Sequence, residues 1–88
     1  MNLFWLSFAD GSKPKGTQFL GACVVEAPSF ADAIQVAWAH GCNPGGECLG
    51  REIHSLLVPF VGPEWRDRVL TWKDCEALDA HLEKKQRS

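Results

Sequence analysis

The sequence predicts a small α+β domain: a three-stranded sheet with strand order 2-1-3 and two helices, arranged along the chain as β-β-α-β-α. Three patterns support this prediction. Residues 2–9 are apolar on both faces of a strand, residues 17–27 form a second strand, and two later stretches repeat apolar residues at helical spacing. Because 88 residues are enough for one core but not two, we expect one domain over residues 1–88, with residues 86–88 as a frayed tail.

The first strand is predicted to be central. Its side chains divide between two faces, with Leu3 and Trp5 on one and Phe4, Leu6 and Phe8 on the other. Strands that are apolar on both faces are normally covered on both sides. The polar connector at residues 10–16 favours an antiparallel hairpin with the next strand.

The second strand, at residues 17–27, contains a glycine with a predicted structural role. Gly21 indicates a bulge or a close approach by a bulky neighbour. Uniform alternation places these residues on two faces: Phe19, Gly21, Cys23 and Val25 on one, and Leu20, Ala22 and Val24 on the other.

The first helix has clear start and stop signals. Ser29 is the expected N-cap, Asp32 stands in a capping-box position, and Gly41 is the expected C′ residue. The predicted buried stripe consists of Phe30, Ala33, Ile34 and Ala37. With Val36 and Trp38 at the flanks, only a narrow exposed face is expected.

The second half of the chain predicts a third strand at residues 48–57 and a C-terminal helix. Leu49, Ile53 and Leu57 share one face of that strand, and Pro63 begins a single helical turn. Thr71 starts the last helix, whose stripe is Cys75, Leu78 and Leu82. The first helix crosses over one face of the sheet, and the last covers either an edge or the other face.

Composition indicates the setting and excludes some partners. Nine basic residues against eleven acidic ones give a net charge of −2, which disfavours nucleic-acid binding. The apolar N-terminal stretch lacks the basic segment of a signal peptide, and no apolar run reaches bilayer length. We therefore expect a cytoplasmic protein with four reduced cysteines and no membrane association.

Neither a metal site nor a catalytic site is predicted. His40, Cys42, Cys48 and His54 are metal-ligand types within fifteen positions, but their spacing misses the close pairs of zinc sites. Cys42 follows a helix C-terminus, which raises a thiol pKa, and Cys75 lies on an apolar stripe. We predict no enzyme activity, no cofactor and no metal, with a zinc-stabilised fold as a third alternative.

The turn after the first helix is a candidate anion-binding site. Gly45 and Gly46 expose backbone N–H groups that could hold a phosphate or carboxylate beside Asn43. Arg51 and Arg66 would donate to the anion, and Trp38 or Trp65 would stack on a base, with Trp38 the first choice. The simpler interpretation is a turn whose glycines only supply positive φ.

Tryptophan content suggests a protein interface. A chain of this length with four tryptophans has more aromatic surface than one small core easily covers. Trp and Arg are typical interface residues, and the candidates are Trp5, Trp65, Arg68 and Trp72. The alternative is that these rings compensate for a small core.

The segments FLG at 19–21, AW at 37–38 and NPGGE at 43–47 resemble a group of short, uncharacterised bacterial and phage proteins. The resemblance covers most of the chain, including FWLSF at residues 4–8. It implies a small accessory protein and transfers no functional residue.

Together these patterns predict a non-enzymatic cytosolic interaction module, with a homo-oligomer expected, that binds another protein through a Trp/Arg-rich surface. The second hypothesis is capture of an anionic metabolite or nucleotide at the Gly-rich turn.

Overall fold

The computed structural model describes residues 1–86 and confirms the predicted order of elements. Three antiparallel strands form one sheet with the order β2-β1-β3. The last helix continues through Gln86, and the rest of the predicted frayed tail, residues 87–88, lies outside the described residues. The elements are β1 (Asn2–Ala9), β2 (Phe19–Ala27), α1 (Phe30–Ala39), β3 (Glu47–Glu52) and α2 (Trp72–Gln86), with 3₁₀ turns at Val58–Phe60 and Pro63–Trp65.

Strand β1 lies between β2 and β3 and contributes to a core on each face of the sheet. Its predicted division of side chains is confirmed, because Phe4, Leu6 and Phe8 pack under α1 while Leu3 and Trp5 pack under α2. The C-terminal helix therefore covers the face opposite α1. Of the predicted stripe, Leu78 and Leu82 are buried and Cys75 is partly buried against the same core.

The bulge suggested by Gly21 is present, and it changes which residues share a face. Phe8 pairs with Gly21 and Ala9 pairs with Phe19, so Leu20 is the extra residue. Leu20 consequently packs with the α1 core and Phe19 with the α2 core. The faces predicted for these two residues by uniform alternation are therefore wrong.

Helix α1 begins and ends at its predicted signals. The Asp32 N–H donates to Ser29 Oγ at 3.2 Å, and Gly41 has a φ of 71°. The Gly41 and Cys42 N–H groups donate to the carbonyls of Trp38 and Ala37, which is a Schellman motif.

The narrow exposed face predicted for α1 is wrong. Only Ala33 and Ala37 are buried in this helix, while Phe30 and Trp38 are both exposed. The helix is ten residues long, and only two small side chains are fully buried, with Val36 partly buried against the same core, so most of its surface faces solvent.

Strand β3 is shorter than predicted, because it ends at Glu52 rather than at residue 57. The Ile53 N–H still donates to Leu3 O at 2.8 Å, but the chain then turns as the Leu57 N–H donates to His54 O. Ile53 is buried as predicted, whereas Leu49 is exposed. Five residues of the predicted strand therefore belong to the connection toward α2.

Two local features position α2. Thr71 and Asp74 form the predicted capping box, in which the Thr71 N–H donates to Asp74 Oδ2 at 2.9 Å and the Asp74 N–H donates to Thr71 Oγ1 at 3.2 Å. Just before the helix, Leu70 forms a bridge with Ala22 on the outer edge of β2.

No helix within residues 1–86 has the length and apolarity needed to cross a bilayer.

Candidate functional site

An open groove lies between β3 and the first turns of α2. We define the open groove by six of its lining residues, Trp5, Ser7, Phe19, Leu49, Arg51 and Trp72. Its cavity volume is about 330 Å³, and most of its lining is apolar. Leu49 is 75% exposed and Trp72 is 62% exposed, so two large apolar side chains face solvent at its rim.

The groove is open because α2 does not cover the whole sheet. This helix packs on β2, and β3 lies at the far side of β1. Leu49 faces the α2 side through its pairing with Ser7, and no side chain covers it well enough to bury it. The alternation of side chains along β3 places Leu49 on the face that carries a core, yet Leu49 is part of the protein surface.

Arg51 lies in the groove wall and joins β3 to α2. Its guanidinium carbon lies 5.0 Å from the centroid of the Trp5 ring, and its Nη2 lies 3.7 Å from Asp79 Oδ1. Both members of the ion pair are largely exposed, so its contribution to stability is small. Arg51 thus places a positive charge in the groove beside the ring of Trp5.

Trp72 stands at the start of α2 against Phe19, which the β2 bulge turns toward this face. The two rings meet edge to face with centroids 5.4 Å apart. The Trp72 ring therefore contacts the fold along one edge, and most of the side chain faces solvent.

Three residues of the Gly-rich turn, Asn43, Gly45 and Gly46, have a structural role in the turn itself. Asn43 Oδ1 accepts the Gly45 N–H at 2.8 Å, and Gly45 and Gly46 have φ values of 88° and 79°. A Cβ at Gly46 would lie 2.5 Å from Ala9 O. Glycine is therefore required at residue 46 by the path of β1, whether or not a ligand binds.

The structure does not assemble the predicted anion site. Arg51 follows Gly46 by five strand residues, which is a separation of about 16 Å. Arg66 instead donates to Val61 O at 2.9 Å and to Val58 O at 3.2 Å, which holds the two 3₁₀ turns together. Trp38 projects from α1, on the opposite side of the sheet from Arg51.

Two of the predicted interface residues are engaged within the fold. Trp65 is half-buried and stacks on His81 with centroids 6.3 Å apart. Arg68 donates to Glu64 O at 2.6 Å and to Asp74 Oδ2 at 3.3 Å. Of the four residues predicted for an interface, Trp5 and Trp72 line the open groove.

The cysteines lie in surroundings that disfavour the thiolate. Burial raises the pKa of all four thiols, most strongly at Cys23, which is completely buried beside Cys42. Within residues 1–86, no three side chains of metal-ligand type come together. Of the two histidines predicted as ligand types, His40 has its Nε2 3.6 Å from Asp67 Oδ1, and His54 accepts the Leu56 N–H at its Nδ1.

In comparisons with known proteins, no family model, curated protein or solved structure matches this chain. The open groove is therefore the feature of this chain from which a function is inferred.

Sequence reasoning found part of this groove and missed the rest. It selected Trp5 and Trp72 for a protein interface and Arg51 for a ligand, and the structure places all three together. It missed Leu49 and Phe19. The bulge at Gly21 was a usable signal for Phe19, whereas the exposure of Leu49 depends on where α2 packs.

Proposed function

We propose that this protein binds another protein stoichiometrically through the open groove and catalyses no reaction. The observation that carries the proposal is the joint exposure of Leu49 and Trp72 around an aromatic floor that carries Arg51. Aromatic side chains beside an arginine are the usual high-energy contacts of protein interfaces. The matching ligand is a segment with a bulky apolar side chain for the groove and a carboxylate for Arg51.

The alternative, capture of an anionic small molecule at the Gly-rich turn, has weaker support. Arg51 lies along β3 from the turn, Arg66 is bonded to the carbonyls of Val61 and Val58, and Gly46 is explained by its contact with Ala9.

We also propose a cytoplasmic location, within a bacterial or phage setting as the sequence resemblance implies. Its support is that all four cysteines are free thiols, as is usual in a reducing compartment.

The test compares two exposed tryptophans on opposite faces. Immobilised wild-type protein, Trp72→Ala and Trp38→Ala are each incubated with a library of peptides of random sequence, and the bound peptides are sequenced. We expect wild type and Trp38→Ala to select the same peptides, with an apolar anchor near an acidic residue, and Trp72→Ala to lose them. A selected peptide should then titrate with one site per chain.

The control is informative because Trp38 is 55% exposed, close to the exposure of Trp72, yet lies on α1. Peptides that bind all three proteins equally, or that require Trp38, would contradict the proposal.

A further inference from the structure

The two edges of the sheet differ in what covers them. On the outer edge of β2, the Ala22 N–H donates to Leu70 O at 3.1 Å, and the Asp67 N–H donates to Val24 O at 3.0 Å. On the outer edge of β3, no segment of residues 1–86 plays this part, and every residue of the strand except Cys48 is exposed. The exposed edge is a template for another strand.

The direction of each backbone group on β3 follows from its ladder with β1. The Ile53 N–H donates to Leu3 O, and in an antiparallel ladder the hydrogen-bonded positions alternate. The N–H and C=O groups of Leu49 and Arg51 therefore face β1. Those of Cys48, Gly50 and Glu52 point outward, where no backbone group within residues 1–86 bonds to them.

The sequence of β3 complements itself when two copies run antiparallel with Leu49 opposite Leu49. The outward backbone groups of Cys48 then meet those of Gly50 of the second copy. Each such pair of residues exchanges both N–H···O bonds. In the same register Glu47 stands opposite Arg51 of the second copy, twice by symmetry. Cross-strand pairs of opposite charge and of apolar side chains both stabilise a sheet.

Neighbouring registers are less favourable. A pairing centred on Gly50 places Arg51 opposite Leu49, and one centred on Cys48 places Glu47 opposite Leu49, so the ion pairs are lost in both. A pairing centred between two residues sets outward groups against inward ones and makes no ladder. The side chains and the backbone thus select the same register.

We propose that two copies of this chain pair through β3, antiparallel and with the two-fold axis at Leu49, to form one continuous sheet. The axis is perpendicular to the sheet, so both open grooves lie on the same side, between the two α2 helices. The pairing is inferred from the uncovered edge of β3 and not from the proposed function, although it shares Leu49 and Arg51 with the open groove. Only the joining of the two grooves into one binding cleft rests on the proposed function.

Leu49 is a better position than Gly50 for a substitution that tests the pairing. A Cβ at Gly50 would lie 2.7 Å from Phe30 Cε2 and 2.8 Å from Leu6 Cδ2, so a Gly50 variant would disturb the fold itself. Leu49 and Leu56 are each 75% exposed, but only Leu49 lies on the edge strand. Leu49→Lys and Leu56→Lys therefore form a matched pair.

The first experiment is sedimentation velocity from low to high micromolar concentration, with far-UV circular dichroism as the check on folding. We expect dimers for wild type and Leu56→Lys. Leu49→Lys should be a monomer, because two lysines would face each other on the axis. The circular dichroism spectrum should be the same for all three proteins. A wild type that stays monomeric at all concentrations, or a Leu49→Lys variant that still dimerises, would overturn the proposal.

The second experiment reads the register by mild oxidation. At a non-hydrogen-bonded antiparallel pair the Cα atoms are about 4.5 Å apart, a distance at which a disulfide forms. We expect peptide mapping to find a cross-link between the introduced thiols of Leu49→Cys and none between those of Arg51→Cys. The reverse result would overturn the proposed register.

Failure of this proposal and failure of the proposed function give different results. Trp72→Ala is expected to lose peptide binding while it still dimerises, since Trp72 lies outside β3. A dimer that selects no peptide would contradict only the groove function, and a monomer that selects peptides would contradict only the pairing.

Discussion

At the scale of single residues, two adjacent glycines that both have a positive φ have different roles. Gly45 and Gly46 both have positive φ, but a Cβ at Gly45 would meet nothing within 4 Å, whereas one at Gly46 would collide with the backbone of Ala9 and with Leu20. The conformational cost is shared by both positions, and the steric cost belongs to Gly46 alone.

We therefore expect Gly45→Ala to lower the free energy of unfolding by about 1 kcal/mol and Gly46→Ala to lower it by about 2–4 kcal/mol. Urea unfolding followed by circular dichroism measures both values. Each variant is its neighbour's control, since they lie in the same turn. Equal losses would show that the predicted contact with Ala9 relaxes without cost.

At the scale of elements, the start of α2 depends on a charge. The Thr71 N–H and hydroxyl, and then Arg68, hold the pKa of Asp74 below its ordinary value. A carboxyl group with a lower pKa in the folded state stabilises the protein above its unfolded pKa, and this stabilisation is lost as the pH falls through the folded pKa.

Asp74→Asn should therefore melt at a lower temperature than wild type at pH 7, and the difference should shrink as the pH falls below the ordinary Asp value of 3.8. Thermal melts at a series of pH values measure this. The control is Glu76→Gln, an exposed acid on the same helix that takes no part in the capping box and that should therefore melt like wild type at each pH. A difference that persists undiminished in acid would contradict the role of the charge.

The elements also show which features the sequence encodes locally. The ends of α1 and the start of α2 were predictable because Ser29, Gly41 and Thr71 act through bonds to their own neighbours. The end of β3 was not, since Ile53 and Leu57 are spaced as on one face of a strand, yet the chain turns away from β1 after Ile53. In the candidate site, Trp72 was predictable by residue type, whereas the exposure of Leu49 follows from the placement of α2.

At the scale of the whole molecule, two cores share one central strand. Leu6 is buried under α1 and Leu3 under α2, and the two are separated by the thickness of the sheet. Small domains with shared elements usually unfold in one transition, since neither face is stable without the other.

We expect Leu3→Val and Leu6→Val each to lower the free energy of unfolding by about 1 kcal/mol and to leave a single transition. Tryptophan fluorescence reports mainly the α2 side, where Trp5 and Trp65 pack, while far-UV circular dichroism reports the whole fold. The two probes should give the same urea midpoint in both variants. A fluorescence midpoint that shifts alone in Leu3→Val would show that the faces unfold separately.

The central position of β1 also has a consequence for synthesis on the ribosome. The strand that both cores require emerges before α2, the helix that closes one of those cores. Until α2 leaves the ribosome, Leu3 and Trp5 have no helix over them, and the nascent chain presents apolar surface on that side of its sheet. Chaperones that recognise such surfaces would therefore meet this chain during translation and lose their binding site once α2 packs.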